Sequence, residues 1–325
     1  MMKHILYAAD SRFYSQLYVS AFSFCENLRK GSFALPTDDE PEYTLHIIAE
    51  GFSAEQKERL KQMAESHGVR LAYYGTPEVP RETTVTFGRS LATYYRINAP
   101  SLLPEEVETV LYLDCDTIIE QPPDDLFALN WGNDLIAGVQ DTMAVSYLQN
   151  IGLTSKDRYV NAGVLMMNLK AWRREGVEEQ CAACLENHNF SLPNNDQDVL
   201  NDVCRGRIRF LPLRFNVLTP CYRYTADQIK RLRGIETYYS EEERQEAVRN
   251  PAVIHYAGTV YDRPWNRVCD HPAGDRFLFY AQKAGIRFES ASSPAASLKK
   301  AARKCFRLLP FAWQLKIREK IQKDA

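Results

Sequence analysis

The sequence predicts an α/β protein built on a mostly parallel central sheet with helices on its faces. Three observations carry this. Short continuous apolar runs alternate with longer stretches of helical periodicity in the order β-α-β-α-β through the first 75 or so positions. The runs are apolar throughout rather than alternating, as expected of strands covered on both faces. The chain has 325 residues, 45% of them hydrophobic and 25% charged, enough for a large core in one domain or two smaller ones.

Each element follows from local pattern. Ile5–Ala9 is a short apolar strand. Tyr14, Leu17, Tyr18, Ala21, Phe22, Cys25 and Leu28 then recur at helical spacing. Tyr43–Glu50 reads as the second strand. Ser53 and Gln56 form a capping box opening a helix that closes near Gly68, and Val69–Tyr74 is the third strand. Leu91–Ala99 is helical, and Val107–Leu113 is an apolar strand ending in Asp114-Cys115-Asp116. Leu135–Val139 is another, ending near Asp141. Val164–Leu169 is a strand that follows Asn161-Ala162-Gly163, a tripeptide that could be an ordinary turn. One helix is expected through Trp172 to about Asn187, and another from Asp196-Gln197-Asp198 to Gly206. Ser240 and Glu243 form a second capping box, and Val253–Tyr256 is a short strand carrying His255, followed by Gly258.

After Phe288 the composition changes. The catalytic body is expected to span 1–288, and 289–297, rich in Ser, Ala and Pro, to be a linker. A tail spanning 298–325 follows, in two amphipathic segments separated by Pro310. The first places Leu298, Ala301, Ala302, Cys305, Phe306 and Leu309 on one face, the second Trp313, Ile317 and Ile321, with Lys and Arg opposite. The tail holds nine Lys/Arg against two Asp/Glu (+7), leaving 31 against 40 (−9) elsewhere. The net charge of −2 argues against a nucleic-acid partner, while the tail suits an anionic membrane surface. The alternative for the tail is a helix packed on the body with a solvated cationic face. Ile5–Ala9 is too short for a signal-peptide core, and no run approaches the length of a spanning helix. The eight cysteines show no disulfide framework. Cys181 and Cys184 form a CxxC inside a helix, with no second pair to complete a zinc site, so reduced thiols in the cytoplasm are expected.

Several segments could carry chemistry. Asp114 and Asp116 follow a buried strand, where an open α/β sheet presents its ligands, and can face one point. Paired carboxylates suit a hard divalent cation that also binds phosphate oxygens. Taken alone, they could equally be turn or cap aspartates. His255 suits a third metal ligand or a satisfied core histidine, and Asp196-Gln197-Asp198 a site cluster or an ordinary helix cap.

Their order carries more than any one of them. The ordered strings are YAAD at Tyr7–Asp10, TYYR at Thr93–Arg96, VLYLDCDT at Val110–Thr117 and NAGVLMMNLKAW at Asn161–Trp172. NDQDVLN at Asn195–Asn201, RFN at Arg214–Asn216 and VIHYAG at Val253–Gly258 follow. With these strings, spread from Ile5 to Trp265, the chain resembles glycosyltransferase family 8, in the branch of bacterial lipopolysaccharide galactosyl- and glucosyltransferases, with glycogenin more distant.

The resemblance implies a GT-A type fold and retaining transfer of galactose or glucose from a UDP-sugar to a glycan or glycolipid acceptor. Asp114, Asp116 and His255 would ligate Mn²⁺ or Mg²⁺ on the donor diphosphate, with Cys115 between the two aspartates. Ala8, Asp10 and Phe13 would hold the uridine, Phe13 stacking on uracil. Asn161, Ala162 and Asp196 would line the donor sugar, Arg96 would contact the sugar or the Asp114 carboxylate, Gln197 would lie near the reacting carbon, and Asp141 would border the acceptor groove. An amide oxygen is a poor nucleophile, which favours front-face transfer over a covalent intermediate at Gln197. The family reads His-x-x-Gly-x-x-Lys-Pro-Trp. Here two residues are added after Gly258, and Arg263 stands for the lysine, as an alternative phosphate contact.

The location implied is cytoplasmic and peripheral to the membrane. One competing class, haloacid-dehalogenase-like phosphatases, places its Asp-x-Asp in the first strand and expects Thr or Val where Ile118 stands. Another is a non-catalytic membrane-surface adaptor on a transferase fold. A nucleotidyltransferase would need a Gly-rich basic loop near Tyr7–Phe13, which is lacking.

Overall fold

The computed structural model describes residues 2–31, 42–86, 90–288 and 294–323. The strands are β1 (Lys3–Asp10), β2 (Tyr43–Glu50), β3 (Arg70–Tyr74), β4 (Val110–Leu113), β5 (Thr117–Ile119), β6 (Ile136–Gln140), β7 (Val160–Met167), β8 (Ile208–Phe210), β9 (Val217–Leu218) and β10 (Val253–His255). Seven form the main sheet in the order β3-β2-β1-β4-β7-β6-β8. The β1–β2, β2–β3, β1–β4 and β6–β8 pairs are parallel, and β7 is inserted antiparallel to both its neighbours.

The sheet separates two apolar cores because successive side chains of a strand point to opposite faces. On β1, Ile5, Tyr7 and Ala9 enter one core, with Leu17, Val19 and Phe24 of helix Tyr14–Gly31, while Leu6 and Ala8 enter the other, with Trp172 and Val199. This two-sided burial explains the uninterrupted apolar runs. The box on helix Ala54–Ser66 forms as expected, with Gln56 N–H donating to Ser53 Oγ (3.1 Å) and Ser53 N–H to Gln56 Oε1 (2.9 Å).

On β7 the alternation slips. Val160 and Ala162 face the second core, but Val164 and Met166 face the first. The β6–β7 register shifts at the same place, Gly138 pairing with Leu165 while Gln140 pairs with Val160. Such a bulge re-aims side chains locally, and here it covers Asn161-Ala162-Gly163. These residues therefore lie inside a strand rather than in a turn ahead of it.

Other differences have local causes. The helix expected through Trp172 breaks at Gly176, whose φ of 62° is left-handed, into Leu169–Glu175 and Val177–Asn187. Leu91–Asn98 is a 3₁₀ helix, and the strand expected from Val107 is formed only from Val110. Of the expected linker, 289–293 lie outside the described residues, and Pro294–Ser297 already belong to helix Pro294–Leu308. That helix turns Lys300, Arg303 and Arg307 toward the body instead of solvent. Lys300 Nζ donates to Cys269 O (2.9 Å), and Arg307 pairs with Asp270 (2.9 Å). Its opposite face is open, with Leu298 73% and Leu308 79% exposed, and Trp313 of the next helix 62% exposed. Among the described residues no helix is long and apolar enough to cross a membrane.

A second sheet of three strands, β5-β10-β9, was not foreseen. Its register pairs His255 with Thr117 and with Leu218, and Tyr256 N–H donates to Asp116 O (2.9 Å). Two segments some 140 positions apart thus meet where β4 ends.

Candidate active site

β4 delivers Asp114 and β5 leads away from Asp116, so the tripeptide bends at the carboxyl end of the parallel strands. Asp114 N–H donates to Gly163 O (2.7 Å), tying the bend to the β7 bulge. Asp116 Oδ1 lies 3.1 Å, and Asp114 Oδ2 3.7 Å, from His255 Nε2. One donor atom from each of Asp114, Asp116 and His255 falls within 4.8 Å of the other two, one of two such groups among the described residues.

The imidazole is held from behind. Asn216 Nδ2 donates to Asn161 Oδ1 (2.8 Å), so its own oxygen faces His255 Nδ1 at 3.0 Å and accepts that N–H. Nε2 is thereby turned to the aspartates, as metal-ligating histidines are usually oriented. Burial disfavours the imidazolium, but Asp116, Asp114 and Asp141 outweigh it and raise the His255 pKa. Burial likewise opposes ionisation of Asp116, yet His255 and Arg263 bring its pKa down. The two carboxylate oxygens and one imidazole nitrogen of this cluster suit Mn²⁺ or Mg²⁺.

Gly163 makes the convergence possible. A Cβ there would lie 2.2 Å from His255 Cε1 and 2.7 Å from Asp114 Oδ2. The sequence reading assigned no role to Gly163 or Asn216, although both fall inside the strings that carried the resemblance. What it lacked was the three-dimensional closeness of β7 and β10.

Arg96 organises the other wall. Only 3% exposed, it donates to Asp114 Oδ1 (2.9 Å), pairs with Asp196 (3.0 Å) and stacks on Tyr112 with its guanidinium carbon 3.9 Å from the ring centre. Thr93 Oγ1 donates to Asp196 Oδ1. Gln197 accepts from Ala162 N–H (3.0 Å) and Asn161 Nδ2 (3.3 Å), and donates to Asp141 Oδ2 (3.1 Å), which also accepts from Asn161 (2.7 Å). Asp10 is engaged by Arg12, its Oδ2 2.6 Å from Nη2. Burial would raise its pKa, but Arg12 and Ser90 hold it below the usual carboxylate range.

These groups line one cavity of about 670 Å³. Ala8, Asp10, Phe13, Arg96, Asp114, Cys115, Asp116, Asn161, Ala162, Asp196, Gln197, His255, Gly258 and Arg263 all face it. Asp141 faces an adjoining cavity of about 420 Å³, which shares Asn161 and Gln197 with the first. The loop with two added residues turns at Gly258 (φ 140°), where Thr259 N–H donates to Asp262 Oδ2 (3.0 Å). The CxxC does not act as a pair. Cys184 lies beside His188 and Asp202, and burial followed by Asp202 pushes its thiol up to about 12, while Asp202 is already paired with Arg205 (2.9 Å).

Known proteins resemble this chain in sequence and in fold. The chain is 25% identical over 281 residues to General stress protein A of Bacillus subtilis (strain 168), covering 85% of this chain and 92% of that one. It is 25% identical over 249 residues to a lipopolysaccharide 1,2-glucosyltransferase of Escherichia coli, covering 75% and 70%. The crystal structure of the galactosyltransferase LgtC with donor and acceptor sugar analogs superposes with a TM-score of 0.70 at 23% identity, over 91% of this chain and 99% of that one. The fold is thus the GT-A type expected from the sequence. The glycosyl transferase family 8 model matches residues 4–269, and the chain belongs to that family.

Proposed function

We propose that the chain transfers galactose or glucose from a UDP-sugar, with retention, to a glycan or glycolipid acceptor in surface-glycan or lipopolysaccharide synthesis. The observation that carries this is the pair of adjoining cavities. One contains the Asp114/Asp116/His255 group, and the other opens beside it across Asn161 and Gln197. A donor and an acceptor can meet there with their reacting atoms held in place. The relatives named as lipopolysaccharide glucosyl- and galactosyltransferases support the substrate class.

Asp114, Asp116 and His255 would hold the Mn²⁺ or Mg²⁺, which neutralises charge on the departing diphosphate when bound. Ala8, Asp10 and Phe13 form the uridine end, and Arg263 adds positive charge toward the phosphates. Arg96 fixes Asp114 and Asp196, so the carboxylates keep their places while the donor sugar binds among Asp196, Asn161 and Ala162. The Gln197 oxygen already accepts from Ala162 N–H and Asn161. That engagement, with the poor nucleophilicity of an amide, supports front-face transfer.

The exposure of Leu298, Leu308 and, on the next helix, Trp313, together with exposed Lys299, Lys304 and Lys316, supports reversible docking on an anionic membrane from the cytoplasmic side. Retention on anionic vesicles that survives truncation after Ser297 would refute the docking.

The decisive experiment is UDP release from UDP-galactose and UDP-glucose with Mn²⁺, using Asp116→Ala as control. Release that needs Mn²⁺ and Asp116 is expected. No release from either donor, or release indifferent to Asp116→Ala, overturns the assignment.

A further inference from the structure

The far wall of the second cavity does not come from the part of the chain that matches the family. That match ends at residue 269, whereas Arg303, Phe306 and Arg307 of helix Pro294–Leu308 line the cavity. The helix is docked there by charge. Arg303 lies 3.5 Å from Asp262 and Arg307 2.9 Å from Asp270. Arg223, also lining the cavity, bridges the same two aspartates at 2.6 and 2.8 Å. Three guanidinium groups therefore share two carboxylates, and the wall keeps a positive surplus. Asp262 itself is supplied by the lengthened loop after Gly258, so the insertion and the C-terminal helix form one unit.

A groove that reads only neutral sugars works through hydroxyl-matching amides and carboxylates. Clustered guanidiniums instead match the paired oxygens of a phosphate or carboxylate, which they bind by parallel charge-assisted hydrogen bonds. We infer that the C-terminal helix, through Arg303 and Arg307 with Arg223, completes an acceptor subsite for a glycan bearing a phosphate or carboxylate group. The inference rests on the transferase reading and adds the acceptor's chemical class to it. It also gives the tail a second task. One face of the helix recognises the acceptor, while the other is left open for a membrane.

The test uses the full-length protein with Mn²⁺ and whichever of UDP-galactose and UDP-glucose gives UDP release. Stimulation of release is titrated with methyl β-glucoside and methyl β-galactoside as neutral probes, and with methyl β-glucuronide and glucose 6-phosphate as anionic ones. The expected result is half-saturation by an anionic probe at a concentration at least about tenfold below its neutral counterpart, the worth of one charged hydrogen bond. The two anionic arms show whether carboxylate or phosphate is preferred. In Arg303→Gln/Arg307→Gln this preference collapses toward unity. Equal response to neutral and anionic probes, stimulation by neutral probes alone or by none, or an undiminished preference in the double variant overturns the inference while leaving donor cleavage intact. Absence of UDP release with every donor and probe instead refutes the transferase reading, and this inference with it. The comparison within the unmodified protein decides even if the double variant does not fold.

Discussion

Gly163→Ala tests the construction of the metal site with a single methyl group. The added carbon would sit 2.2 Å from His255 Cε1 and 2.9 Å from its Nδ1. Carbon atoms in contact rest at about 3.5–4.0 Å, so an overlap of more than 1 Å must be relieved. His255 cannot swing freely, because it is 2% exposed and anchored at Asn216 and Asp116. Relief therefore displaces the imidazole or the bulge carrying Asn161. Overpacking of this kind costs roughly 1–3 kcal/mol of stability. A ligand set that tolerates only about 0.2 Å of error should lose at least about 10- to 100-fold in Mn²⁺ affinity. Calorimetry with Mn²⁺ in the presence of UDP reads the affinity, and urea denaturation the stability. Gly176→Ala is the control, since its left-handed φ of 62° strains any side chain placed there, at a helix break that lines neither cavity. It should lose stability and keep Mn²⁺ affinity. If Gly163→Ala binds Mn²⁺ as the unmodified protein does, the reasoning about the site's geometry is wrong.

Three further outcomes are expected. Asn216→Ala frees the His255 ring and should weaken Mn²⁺ binding by roughly 10- to 100-fold; unchanged calorimetry would show that the amide does not orient the ligand. Arg96→Leu leaves Asp196 buried without its ion-pair partner and should cost about 3–5 kcal/mol, read as a lower urea midpoint; an unmoved midpoint would refute the bridge. Burial, reinforced by His4, lowers His46 from 6.5 to about 3, and burial with Arg223 lowers His271 to about 4. Both are buried neutral, so the stability they contribute is present above about pH 6.5 and is lost as pH falls toward the folded values. Each should remove about 2 kcal/mol between pH 6.5 and about pH 5, and His46→Gln/His271→Gln should flatten that slope in urea titrations. An equally steep slope in the double variant would exclude these histidines as its source.

The legible part of the fold was the part written in local pattern. β1, β2 and β3 are buried on both faces, so their apolar runs announced them, and Ser53 with Gln56 marked a helix start by chemistry acting over three residues. β8 and β9 escaped notice because strands of three and two residues have too little length to show a period. The Gly176 break was visible only as a glycine, since its left-handed φ is settled by how the two flanking helices pack.

By itself the sequence determined the chemistry on offer: two carboxylates after a buried strand, an imidazole on another, an arginine in the TYYR string, the Asn161-Ala162-Gly163 tripeptide, and a cationic tail. The tertiary structure alone decided how these are spent. The pairing of β10 with β5 brings His255 to Asp116, the β7 bulge aims Asn161 and Gly163 into the gap, and Asn216 fixes which imidazole nitrogen faces it. Charge on the tail could be counted in the chain, but the direction it faces could not. Arg303 and Arg307 turn inward because Asp262 and Asp270, already sharing Arg223, lie within reach, and no helical periodicity encodes the position of a carboxylate on a distant loop.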